Sequence, residues 1–83
     1  MEPNRRDVAI LEYLAEVSLA LPPKVLYYNM KADREITFSE RTLKRRLKLL
    51  MEAELVDRVE GTDGYYRISS AGRDHVDGDS GTR

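Results

Sequence analysis

Between Ser39 and Leu55 the chain reads SERTLKRRLKLLMEAEL, and no other stretch limits the possible folds as tightly. Leu43, Leu47 and Leu50 recur at i, i+4 and i+7, which places them on one side of a helix. Glu54 continues the spacing but not the apolar character. Arg41, Arg45, Lys48 and Glu52 fall on the opposite side, with Lys44 on the flank. Ser39 is a good N-cap, because its hydroxyl can accept from the free N–H groups of the first turn. The spacing predicts a helix over 39–53 that turns a leucine inward and a cation outward at each turn. Taken alone, such a helix is as readily a solvated basic face as a binding surface.

The next segment of the chain gives that face a context. Leu55–Glu60 is a short β-prone run, and Gly61-Thr62-Asp63-Gly64 is a turn cluster with two glycines able to take positive φ. Tyr65–Ile68 is a second run, with Tyr66 and Ile68 on one face and Tyr65 and Arg67 on the other. Ser69 or Ser70 then caps a short last helix, through Ala71, Gly72 and Arg73 to about Val76. A basic amphipathic helix feeding straight into a two-stranded ribbon is the order of a winged-helix domain, whose recognition helix enters a major groove while its wing lies along the neighbouring backbone.

The chain has 83 residues, enough for one domain with a small core. It has no cysteine, which excludes disulfides and thiolate metal sites and fits a reducing cytoplasm. No apolar run approaches the length of a membrane span, and Met1–Arg6 leads into no signal-type segment. The net charge is −1, which argues mildly against a nucleic-acid partner. Distribution matters more than the sum: cations crowd Arg41–Lys48, while acids lie in the first helix, in Glu52–Glu60 and in the tail. A locally positive face on a neutral body still attracts phosphates at short range. Arginine outnumbers lysine and acids are plentiful, a composition suggestive of a GC-rich, salt-loving source.

Before the basic helix, Asp7–Val17 reads as a first helix. Val8, Ile10, Leu11, Leu14, Ala15 and Val17 face the core, and Glu12 and Glu16 face water. Arg5 and Arg6 are able to touch phosphate, but a frayed basic terminus is the plainer reading. Leu19–Leu21 is a candidate third strand against the hairpin. A second helix starts at Pro22 or Pro23, where a missing N–H has no partner to lose, and runs to about Met30. In it Val25, Leu26 and one of the two tyrosines pack inward. Lys31–Glu35 reads as a charged loop. Ile36 and Phe38 tuck under the next helix, Phe38 in the position of a hydrophobic staple opposite Leu43. Residues 77–83 are polar and glycine-rich and are expected to be a disordered tail to a domain spanning 1–76.

Catalysis requires a constellation, and none is visible. His75 is the only histidine, no glycine-rich phosphate loop is present, and no metal or cofactor is expected. The chain does not read as an enzyme.

Phe38–Arg58 resembles the recognition helix and first wing strand of winged helix-turn-helix regulators. Gly64-Tyr65-Tyr66-Arg67-Ile68-Ser69-Ser70-Ala71-Gly72-Arg73 is similar to the second wing strand and following helix start of the MarR-like group. With Leu21-Pro22-Pro23-Lys24-Val25-Leu26-Tyr27 included, the resemblance points to small archaeal proteins related to a halophilic phage repressor. It covers about Asp7 to Val76. One departure is Glu54, where such domains usually carry a glycine in the left-handed conformation.

The resemblance implies an α+β winged helix-turn-helix fold: a three-helix core, a C-terminal antiparallel wing of two or three strands, and a short final helix. It implies sequence-specific binding of double-stranded DNA and transcriptional regulation. The residues carried over are Ser39, Arg41, Thr42, Lys44, Arg45 and Lys48 on the helix, with Arg58, Thr62 and Arg67 on the wing. Arg41 and Arg45 suit base edges, because a guanidinium grips guanine bidentately. Lys44, Lys48, Arg58 and Arg67 suit phosphates. A homodimer matched to palindromic half-sites is expected, and so small a core leaves no room for a small-molecule effector. The competing expectations are a winged-helix module that binds protein through exposed Leu49 and Met51, and one that binds RNA.

Overall fold

The computed structural model describes residues 2–80, with side chains through Asp77. The architecture is α+β, with four helices and a two-stranded antiparallel sheet. The order is α1 (Arg5–Val17), α2 (Pro23–Arg34), α3 (Glu40–Glu52), β1 (Val56–Arg58), β2 (Tyr66–Ile68) and α4 (Ser70–Ser80). One core joins them: Ile10, Leu11, Tyr13 and Leu14 of α1, Leu26 and Met30 of α2, Leu43, Leu47 and Leu50 of α3, and Val56 of β1. Ten largely buried side chains is a small core, so each one is a sizeable fraction of the stability.

α1 begins two residues earlier than expected, and Arg5 and Arg6 are helical rather than frayed. The reason is a capping box. The Asp7 N–H donates to Asn4 Oδ1 at 2.8 Å, and the Asn4 N–H donates to Asp7 Oδ2 at 2.9 Å.

The expected loop at Lys31–Glu35 is instead the last turn of α2. Tyr13 donates its hydroxyl to Asp33 Oδ2 at 2.7 Å, Arg34 pairs with Glu16, and the Arg34 guanidinium lies 5.4 Å from the centre of the Tyr13 ring. Burial, reinforced by the bond to Asp33, pushes the Tyr13 hydroxyl up to about 12. The helix stops at Glu35, which takes a left-handed conformation at φ 53° while its N–H donates to Lys31 O. Val25, expected inward, is 42% exposed, because α2 is phased on Leu26 and Met30. The inward tyrosine is Tyr27, whose hydroxyl donates to Phe38 O at 3.0 Å; Tyr28 is exposed. Ile36 and Phe38 both pack on the core, as expected.

The hairpin pairs Val56 with Ile68, Asp57 with Arg67 and Arg58 with Tyr66. The expected third strand reduces to one bridge, in which Leu21 and Tyr66 exchange N–H···O bonds at 2.9 Å. α4 continues to Ser80, past the expected end near Val76; of the expected tail, 81–83 lie outside the described residues.

α3 ends at the one position that departs from the resembled pattern. Glu54 adopts the left-handed conformation itself, at φ 64°. The Leu55 N–H donates to Leu50 O and the Glu54 N–H to Met51 O, both at 2.9 Å, the two bonds of a Schellman ending. Ser69 fastens this ending to α4: its hydroxyl donates to Glu54 O at 2.7 Å and accepts from the Gly72 N–H at 2.9 Å. Gly72 is required by space, since a Cβ there would sit 2.0 Å from Leu55 O.

Candidate nucleic-acid interface

The face of interest is the outer side of α3. Leu43, Leu47 and Leu50 are fully buried, so the helix has one fixed rotational setting and its remaining residues have one fixed outlook. Arg41, Lys44, Arg45 and Lys48 are all exposed. Among the described residues, Arg41, Arg45 and Lys48 make no ion pair. Lys44 lies 3.5 Å from Glu40 one turn earlier, a solvent-exposed contact of little strength.

Ser39 and Thr42 serve the helix itself. The Thr42 N–H donates to Ser39 Oγ at 3.2 Å, and the Ser39 hydroxyl donates to Thr42 Oγ1 at 3.2 Å. Thr62 is likewise committed within the hairpin, donating to Val59 O at 2.6 Å and accepting from the Tyr65 N–H at 3.1 Å. Arg58 is exposed beside the hairpin turn, with its guanidinium against Gly64. Arg67 is exposed on the other face of the sheet and lines a cavity of about 210 Å3 with Ser18, Leu19 and Arg73. The structure therefore gathers Arg41, Lys44, Arg45 and Lys48 on one helix, and sets Arg67 apart from them.

Arg46 is the cation whose structural role reasoning from the sequence missed. Its Nε donates to Asp7 Oδ1 at 2.7 Å and its Nη2 to Asp7 Oδ2 at 2.6 Å, a bidentate pair between α3 and α1. Asp7 is fully buried and the Arg46 side chain is 19% exposed. The bond to the Asp7 carboxylate raises the Arg46 pKa still further above its already high value. The same carboxylate also accepts from the Asn4 N–H, so its oxygens are well satisfied. A signal existed: Arg46 falls three residues after Leu43 and four before Leu50, on the apolar flank of the helix.

Among the described residues, no group of three or more His, Cys, Asp or Glu is placed to hold a metal ion, and no helix is long and apolar enough to cross a membrane. No protein-family model, curated protein or solved structure matches the chain.

Proposed function

We propose that the chain is a winged-helix module that binds duplex DNA and regulates transcription. The observation that carries this reading is the outer face of α3, where Arg41, Arg45 and Lys48 are exposed and unpaired among the described residues, about one to a turn. Three helices followed by an antiparallel hairpin, with Leu21 bridged to β2, support the winged-helix assignment. In this reading α3 enters the major groove, Arg41 and Arg45 address base edges, and Lys44 and Lys48 hold phosphates. The hairpin lies along the adjoining backbone with Arg58 as its phosphate contact. Arg67 adds to the long-range attraction rather than to the contact.

The module works as a homodimer on two half-sites, since one small domain reads few base pairs. Leu49, 37% exposed, supplies apolar surface beside an open cavity of about 400 Å3 that also touches Ala53. Met51, by contrast, is half-buried against the core and offers no such edge. A sedimentation mass of one chain at tens of micromolar, with and without DNA, would remove the dimer.

The deciding experiment is a titration of random duplex at low salt. About five neutralised phosphates per protomer give a slope of log affinity against log salt of roughly −4 to −5. No binding at low salt by well-folded protein would leave a protein partner as the better reading.

A further inference from the structure

Arg5 and Arg6 stand where a helix disfavours cations. They are the first two residues of α1, where unpaired N–H groups and the macrodipole already concentrate positive charge. Both are exposed, and neither makes an ion pair among the described residues. Asp7 does not relieve them, because its carboxylate is occupied by Arg46 and the Asn4 N–H. Two exposed cations without an ion pair at a helix N-terminus break a local rule, which is expected at a functional position.

Both arginines line an open groove of about 510 Å3. The opposite wall is the connection between α2 and α3, from Glu35 through Ile36 and Thr37 to Phe38. Ala9, Ile36 and Phe38 lend it an apolar floor, since all three are half-buried against the core. Phe38 immediately precedes Ser39, the cap of α3, so the groove abuts the start of the cationic helix.

We propose that this groove receives a sugar–phosphate strand of the same duplex, with Arg5 and Arg6 as phosphate contacts beyond the reach of α3 and the hairpin. The inference rests on the DNA-binding reading above. A nucleic-acid strand alternates anionic phosphates with apolar sugar faces, and the groove offers a cationic lip over an apolar floor. Thr37 adds a hydroxyl to that lining. Glu35 is the one acid on the groove and is exposed; two arginines outweigh it. Contacts of this kind fix register on the duplex without reading bases.

The test is a set of fluorescence-anisotropy titrations on random duplex across a range of salt, with thermal melts alongside. The proteins are the parent, the Arg5→Ala/Arg6→Ala double variant, and Glu35→Gln. The expected result is a salt slope shallower by about two in the double variant. Its melt should be unchanged or raised, because two cations leave a helix N-terminus. Glu35→Gln should bind more tightly than the parent. A double variant with the parent's slope overturns this inference alone. Absence of duplex binding by the folded parent overturns the DNA-binding reading and this inference with it. Polyglutamate binding that exceeds duplex binding, and that the double variant loses, would assign the groove to an acidic peptide instead.

Discussion

On the outer side of α3, Arg45 keeps its charge in water; on the inner side, one residue later, Arg46 gives its charge to Asp7. The two side chains are chemically identical, and their surroundings give them opposite duties. The outer charge is nearly irrelevant to folding, because a solvated cation gains little from the protein and loses little when removed. The inner pair binds α1 to α3 through a fully buried carboxylate, which must keep its partner once water has been excluded. An arginine in a basic run is thus not evidence of a ligand contact until its neighbours are known.

The sharpest way to break this contrast is to remove the buried partner. Asp7→Ala should cost about 3–5 kcal/mol, since it strands the Arg46 charge and also dismantles the capping box. For so small a core that approaches the whole stability. Asp7→Leu combined with Arg46→Met should recover most of the loss, because an apolar pair of similar volume often replaces a buried ion pair at little cost. Denaturant melts of the single and double variants measure the coupling; a single-variant loss under about 1 kcal/mol would show that the inner and outer charges do not differ.

Leu47→Ala tests the same side of the helix by packing alone and should cost about 2–5 kcal/mol through the cavity it leaves. Arg45→Ala is its counterpart on the outer side. It should alter stability by less than about 0.5 kcal/mol, yet weaken binding to a selected duplex by about 1–3 kcal/mol and relax preference at one position. If Arg45 holds only a phosphate, binding to all duplexes weakens alike and the salt slope shrinks by about one. A folded Arg45→Ala protein that binds selected DNA as the parent does would end the assignment of α3 as the reading element.

The smallest effect lies at the end of the helix, where both sides meet. Glu54→Gly should stabilise the fold by up to about 1 kcal/mol, because glycine adopts the left-handed conformation without the Cβ strain that Glu54 bears. The gain is limited by the extra freedom glycine has when unfolded. A melt lowered by this substitution would mean that the glutamate side chain, not the backbone, holds the turn.

Much of α3 and the hairpin was legible because their signals are local. The leucine spacing, the Ser39 cap, the turn glycines and the strained Glu54 all act within a few residues. The last turn of α2 was not legible, because the contacts that make Lys31–Arg34 helical reach 18 and 20 residues back, to Glu16 and Tyr13. The inward setting of Val25 was a phase error: Val25 and Leu26 are adjacent, and only packing decides which of the two leads the apolar stripe. On the candidate site, the exposed cations of α3 could be read from periodicity. The commitments of Thr42 to the Ser39 cap and of Thr62 to the hairpin backbone are local, each three residues from its partner, but no periodicity marks them; the separation of Arg67 and the placement of Arg5 and Arg6 on a groove are tertiary facts.

The buried pair also governs how such a chain can drift. Positions 7 and 46 lie 39 residues apart, yet neither can change alone without leaving a charge stranded in the interior. A change at one is costly unless the other changes with it, because residues that share one buried network are energetically coupled. Among the described residues, positions 41, 45 and 48 share no ion-pair partner, and each can change independently at little cost to the frame. A chain built on this plan keeps its scaffold through that coupling, while its outer helix face is open to revision one residue at a time without refounding the fold.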